Sequence, residues 1–234
     1  MRTISPRETF DRQLQQLLDE LLVLGSMVEQ AVIEAVDSLK RRDRDASKKI
    51  YADDRYINEK RYEIENNCLT LIATQQPMAR DLRFLAAILE IITELERIGD
   101  YAKGIAQINI RLGEEPLVKP LIDIPKMADK GLDMLRRSLQ AFVKRDADTA
   151  RVIPDEDDEI DELYNNVYHE LLEIMIKDPH TVDRATYLLW AAHNLERLAD
   201  RVTNICERIV FVVTGEMMEL DRSDDELRIP PNNR

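Results

Sequence analysis

A short phrase is written twice in this chain: Leu95-Glu96-Arg97-Ile98-Gly99-Asp100 and, 100 residues on, Leu195-Glu196-Arg197-Leu198-Ala199-Asp200. Each copy holds two carboxylates four residues apart, a spacing that stacks them one turn apart on one face of an α-helix. Solvated helical faces usually set acids against bases at that spacing. Here acid faces acid, in both copies, and the repetition restricts the fold to two copies of one helical unit.

The apolar periodicity agrees. Leu14, Leu17, Leu21, Leu24, Val28, Ala31 and Ala35 follow Phe10 in steps of three and four, the stripe of one long helix. A charged turn over 41–45 separates it from a second stripe through Ile50, Ile57, Ile64, Cys68 and Leu71, which ends near Gln75-Gln76-Pro77. The third helix carries Leu85, Ile88, Leu89, Ile92 and Leu95 to about Arg111, and the stretch 113–125, with three prolines, breaks the pattern. The second half repeats the plan, with helices expected near 125–144, 146–176 and 179–215.

Shifted by 103, Arg42, Asp43, Asp45, Ile50, Asp54, Ile57 and Glu59 meet Arg145, Asp146, Asp148, Ile153, Asp157, Ile160 and Glu162. Nearer the repeated phrase the shift becomes 100, so the second hairpin is about three residues shorter. The resulting organisation is a first three-helix repeat over 1–112, a linker over 113–125, a second repeat over 126–216 and a polar tail over 217–234 expected to be disordered.

Aromatic residues make up 5% of the 234 and charged ones 34%, which suits long helices rather than sheets, and the fold class is all-α. A net charge of −13 argues against sequence-independent nucleic-acid binding and favours cationic partners or metal ions. Cys68 and Cys206 lack zinc-type spacing and sit in apolar helical patterns, as buried thiols of a reducing compartment do. The first ten residues lack the apolar core of a signal peptide and no run reaches membrane-spanning length, so a cytoplasmic protein is expected.

The paired acids have companions on the preceding helix: Asp54 with Asn58, and Asp157 with Asp161. In an antiparallel hairpin, residues equidistant from the turn lie at the same height. Positions 54 and 100, and 58 and 96, are centred on Pro77; 157 and 200, and 161 and 196, are centred between Asp178 and Pro179. Two hairpins give the same register independently. The seams border apolar stripes, where clustered carboxylates titrate high unless cations neutralise them. A metal is therefore expected, and oxygen-only ligation suits Mg²⁺, Mn²⁺ or bridged Fe better than Zn²⁺. The alternative is that Glu96 and Glu196 pair with arginines such as Arg97 and Arg197 and the repeat only records duplication.

Other candidates carry less. His193 stands three before Glu196, the reverse of the Glu-x-x-His order of di-iron bundles, and reads as a structural residue. Trp190, beside Tyr187 and Leu188, reads as core packing, and Arg80 and Arg83 as ordinary helix-end charges. Phosphate-cradling glycine loops, dinucleotide fingerprints and His-Glu-x-x-His are absent from the sequence, and nothing in it signals an enzyme.

Gln75-Gln76-Pro77-Met78-Ala79-Arg80-Asp81-Leu82-Arg83 followed by Leu95-Glu96-Arg97-Ile98-Gly99-Asp100 resembles the PhoU family of phosphate-transport accessory proteins, and Gly25-Ser26-Met27-Val28-Glu29 fits as well. The resemblance spans roughly residues 8–215. It implies tandem three-helix bundles whose Glu/Asp-x-x-x-Asp motifs bind metal ions, at times as multinuclear clusters, here at Glu96, Asp100, Glu196 and Asp200. The register argument adds Asp54, Asp157 and Asp161, while Asn58 departs from the pattern and predicts weaker binding at the first site. The resemblance further implies a homodimeric, non-enzymatic repressor of the phosphate regulon and of phosphate uptake. Such a protein links the phosphate ABC-transporter ATPase to a membrane sensor histidine kinase and meets the membrane only through those partners. The rival reading from the residues is a carboxylate-bridged metal oxidase or metal store, and a metal-free helical adaptor is a third.

Overall fold

A computed structural model describes residues 6–220. Its regular elements are α1 (Pro6–Arg41), α2 (Arg44–Gln75), α3 (Ala79–Arg111), α4 (Asp123–Lys144), α5 (Ala147–Val152), α6 (Asp157–Lys177) and α7 (Val182–Thr214), with single 3-10 turns at Pro154–Glu156 and Pro179–Thr181. The all-α expectation holds for the described residues, among which no helix is long and apolar enough to cross a membrane. From residue 221 on, the tail expected to be disordered lies outside the described residues.

The apolar stripe of α1 is its buried face: Leu14, Leu17, Leu21, Leu24, Val28 and Ala35 are all buried. The aligned Arg-Asp pairs have a local explanation. Arg42 (φ 59°) and Arg145 (φ 56°) turn the chain in the left-handed region. Asp43 and Asp146 then cap the next helix, their carboxylates accepting from the N–H of Ala46 at 2.9 Å and of Thr149 at 3.0 Å. Much of the internal identity near the hairpin tips thus records a shared turn and cap.

Two boundaries differ from the sequence expectation. The helix expected over 146–176 is interrupted: α5 ends at Val152, and Pro154 opens a 3-10 turn before α6 begins at Asp157. Proline has no N–H to donate and its ring collides with the carbonyl four residues back, whereas the matched Tyr51 lets α2 run through. At the linker, α4 already starts at Asp123, because Pro125 falls in the first turn, where no intrahelical N–H bond is needed.

The halves meet along α3 and α7 and along α1 and α4. Phe84 of α3 stacks on Phe142 of α4 with ring centroids 4.8 Å apart. Gly25 lets α1 approach α4 closely: a Cβ there would stand 2.5 Å from Leu139 Cδ1.

Asn109 ties one end of the first half. Its buried amide donates to the Ser38 carbonyl at 2.9 Å, the Asp43 carbonyl at 3.2 Å and Ser47 Oγ at 2.8 Å, and its oxygen accepts from Arg42. Arg42 in turn holds the linker through the carbonyls of Gly113 and Glu115. The matched positions in the second half, Ala141, Ala150 and Ile209, are apolar and buried, so the knot belongs to one repeat only. Asn109→Ala strands these buried groups and is expected to cost about 2 kcal/mol, read as a lower melting temperature in thermal denaturation.

Candidate functional site: two carboxylate seams

In the first seam α2 supplies Asp54 and Asn58, and α3 supplies Glu96 and Asp100. Asp54 is buried, and Asn58 Nδ2 donates to its Oδ2 at 3.0 Å. Glu96 titrates above the usual carboxylate range because burial disfavours its charge and Asp100 repels it, with Asp54 adding to the effect. Asp100 is raised likewise, first by burial and then by Asp54. The repulsion among Asp54, Glu96 and Asp100 follows from their lying near one another across the hairpin, as the register requires.

The sequence reading missed Lys103. Its Nζ lies 2.7 Å from Asp54 Oδ2 and 3.9 Å from Asp100 Oδ1, so an ammonium already neutralises part of this seam. The signal was available, since Lys103 follows Asp100 by three residues, on the same side of the helix, and its match in the second copy is Thr203.

The second seam is made by Asp157 and Asp161 of α6 and by Glu196 and Asp200 of α7, and has an aspartate where the first has Asn58. Asp157 is the first residue of α6, a consequence of the proline break, and is partly buried. Glu196 is pushed up to about 7, by burial first, then by Asp200 and Asp161. His193 Nδ1 stands 3.1 Å from Glu196 Oε2, and its ring centroid is 6.0 Å from that of Tyr164. The histidine assigned a structural role therefore touches the carboxylate whose affinity for protons is most raised.

Arg97 pairs with Glu94 at 2.6 Å, Arg201 reaches the same carboxylate from α7 at 3.4 Å, and Arg197 lies over the Tyr101 ring at 5.0 Å. The arginines of the repeated phrase thus line a cleft of about 410 Å³ between the halves and are engaged there rather than with Glu96 and Glu196. Trp190, expected in the core, is half exposed, edge-on to Tyr187 at 5.7 Å: the helical face it shares with polar residues looks outward. Arg83 lies against Gly215 at the end of α7. Cys68 and Cys206 are buried free thiols, each pushed up to about 12 by burial.

Among the described residues no three His, Cys, Asp or Glu side chains form a ready-made ion cage. In the first seam Lys103 holds Asp54. The donor chemistry nonetheless fits a hard cation: all-oxygen ligands, several of them partly buried, with protonation of Glu96, Asp100 and Glu196 favoured by their crowding. The fit is better in the second seam, which has the additional aspartate and no lysine at the matched position. Lys103→Met is expected to cost about 1–2 kcal/mol at pH 8 without metal by leaving Asp54 buried without its cation, and to increase the stabilisation expected from Mn²⁺; melts with and without Mn²⁺ check both.

A family model described as the PhoU domain matches residues 21–108 and again 124–209. The phosphate-specific transport system accessory protein PhoU homolog of Clostridium acetobutylicum is 37% identical over 216 residues, covering 92% of this chain and 99% of that protein. The PhoU protein of Escherichia coli is 31% identical, covering 88% and 86%. The crystal structure of the phosphate transport system regulatory protein PhoU from Streptococcus pneumoniae superposes with a TM-score of 0.83 at 33% identity, over 89% of this chain and 99% of that one. With both repeats matched and relatives aligned along nearly their full length, this chain belongs to the PhoU family.

Proposed function

We propose that this chain is a negative regulator of the phosphate regulon and of phosphate uptake. In this reading it is a cytoplasmic, homodimeric, non-enzymatic adaptor that joins the ATPase of the phosphate ABC transporter to a sensor histidine kinase. The observation that carries the reading is agreement over about nine-tenths of the chain with proteins named as accessory to, or regulators of, a phosphate transport system. The seams give the adaptor its switchable charge. Divalent or multinuclear cations, Mg²⁺, Mn²⁺ or Fe in preference to Zn²⁺, are held by Asp157, Asp161, Glu196 and Asp200, and more weakly by Asp54, Glu96 and Asp100. A bound cation supplies positive charge that lets these acids ionise together; the residues themselves set the surface potential that a partner meets.

Deleting the gene is expected to release a phosphate-regulated reporter from repression in phosphate-rich medium, and the wild-type gene in trans to restore it. An unchanged reporter in the deletion strain refutes the regulatory reading.

A further inference from the structure

A groove of about 600 Å³ opens between α1 and α2 in the first half. Val23, Met27 and Ala31 form one wall, Ile50, Tyr56 and Ile57 the other, and Gly99 lies at the floor. Val23 and Tyr56 are 51% and 45% exposed, unusual for side chains that face a seam between two helices.

The second half shows what closes such a seam. There Lys130 of α4 pairs with Glu159, and Arg137 makes a two-pronged contact with Glu156. The long side chains lay their stems across the seam and put their charges on the acids beyond it. Under the shift of 103, Lys130 corresponds to Met27, Arg137 to Glu34, Glu159 to Tyr56 and Glu156 to Asp53. The first half therefore lacks both cations, has an acid at the matched position on α2, and has a second acid on α1. Glu34 and Asp53 both border the groove; of its two lysines, Lys103 is paired with Asp54 and Lys49 is exposed.

We propose that this groove receives an amphipathic α-helix of a partner protein, with leucine-like side chains on one face and arginine or lysine on its flank. The apolar residues fill the volume between Met27 and Tyr56, and the cations meet Glu34 and Asp53 as Arg137 and Lys130 meet Glu156 and Glu159 in the second half. The groove lies beside the first carboxylate seam, sharing Asp54 and Lys103 with it, so an occupant sits next to the acids. The inference is independent of the regulatory reading, because the groove binds such a helix whichever protein supplies it.

The test uses the full-length protein and a fluorescent, stapled peptide about three turns long, with leucines on one face flanked by arginines, followed by anisotropy. Saturable binding is expected, weakened about tenfold by Glu34→Lys/Asp53→Lys, and abolished by Ala31→Trp, which fills the groove. The same peptide with glutamates in place of its arginines should not bind. Absence of saturable binding overturns the proposal, as does binding that survives Ala31→Trp, since that is non-specific attraction to an acidic protein. If Ala31→Trp instead converts a dimer to a monomer, the occupant is a second copy of this chain and the partner-helix proposal fails. The charge-reversed residues are on the groove rim, and circular dichroism confirms that the variants remain helical.

Discussion

Mn²⁺ at a hundredfold excess over its dissociation constant is expected to raise the melting temperature by about 5–10 °C, and Asp100→Ala/Asp200→Ala to remove nearly all of that rise. A ligand that binds only the folded state at that excess stabilises it by about 2.7 kcal/mol, and a domain of this size shifts by about 2–4 °C per kcal/mol. The stabilisation arises because the metal-free seams are under electrostatic load: Glu96, Asp100 and Glu196 all bind protons more tightly than free carboxylates do. Removing only Asp200 should cost more of the effect than removing only Asp100, because the second seam has Asp161 where the first has Asn58, and Lys103 already serves the first. Helicity should survive in the double variant, since Asp100 is exposed and Asp200 only partly buried. Undiminished metal-induced stabilisation in the double variant contradicts the assignment.

Glu196→Gln should stabilise the metal-free protein at pH 8. A carboxylate raised from 4.5 to about 7 holds its proton in the folded state over a range in which the unfolded chain has released it. Its contribution to stability is full below pH 4.5 and is lost as pH rises through about 7. Glutamine does not titrate, so the variant should match wild type near pH 4 and gain on it up to about pH 7. The advantage then stays constant, at no more than about 3 kcal/mol and thus up to about 10 °C in melting temperature. Mn²⁺ should narrow that advantage at pH 8, because wild type can use the ionised carboxylate as a ligand and the variant cannot. Melts across this pH range in chelator, then repeated with Mn²⁺, decide it; parallel curves for the two proteins would show that Glu196 ionises normally.

Most of the helices were legible because their apolar residues recur at helical spacing and their ends carry strong punctuation. Pro77 and the left-handed Gln76 mark the turn between α2 and α3, and Asp43 caps α2. The hairpin register was legible for the same reason: two helices rising equally from one turn can face only one set of residues, and Asp54 does come level with Glu96 and Asp100. The break at Pro154 was also written in the sequence, but alignment to the unbroken first copy masked it; a duplicated sequence lends one half's continuity to the other.

The site was legible as a set of acids and not as a balance of charge. Lys103 belongs to no repeated motif, and its importance depends on a rotamer that carries its Nζ across to Asp54, which periodicity cannot supply. The arginines of the repeated phrase illustrate the converse. Their spacing allowed pairing with Glu96 and Glu196, but helix–helix packing turns them into the cleft between α3 and α7, where Arg97 meets Glu94 and Arg197 lies over Tyr101. The α1–α2 groove was invisible for a related reason, because an empty volume is defined by what the matched positions of the other repeat contain.

The most direct test of the account is capture of the transporter ATPase and the sensor kinase by this protein, with wild type compared to Asp100→Ala/Asp200→Ala in the presence of Mn²⁺. Wild type is expected to retain both partners, and the double variant, folded but unable to load its seams, to lose them. Failure of wild type to retain either partner, at any phosphate or metal concentration, would contradict the account.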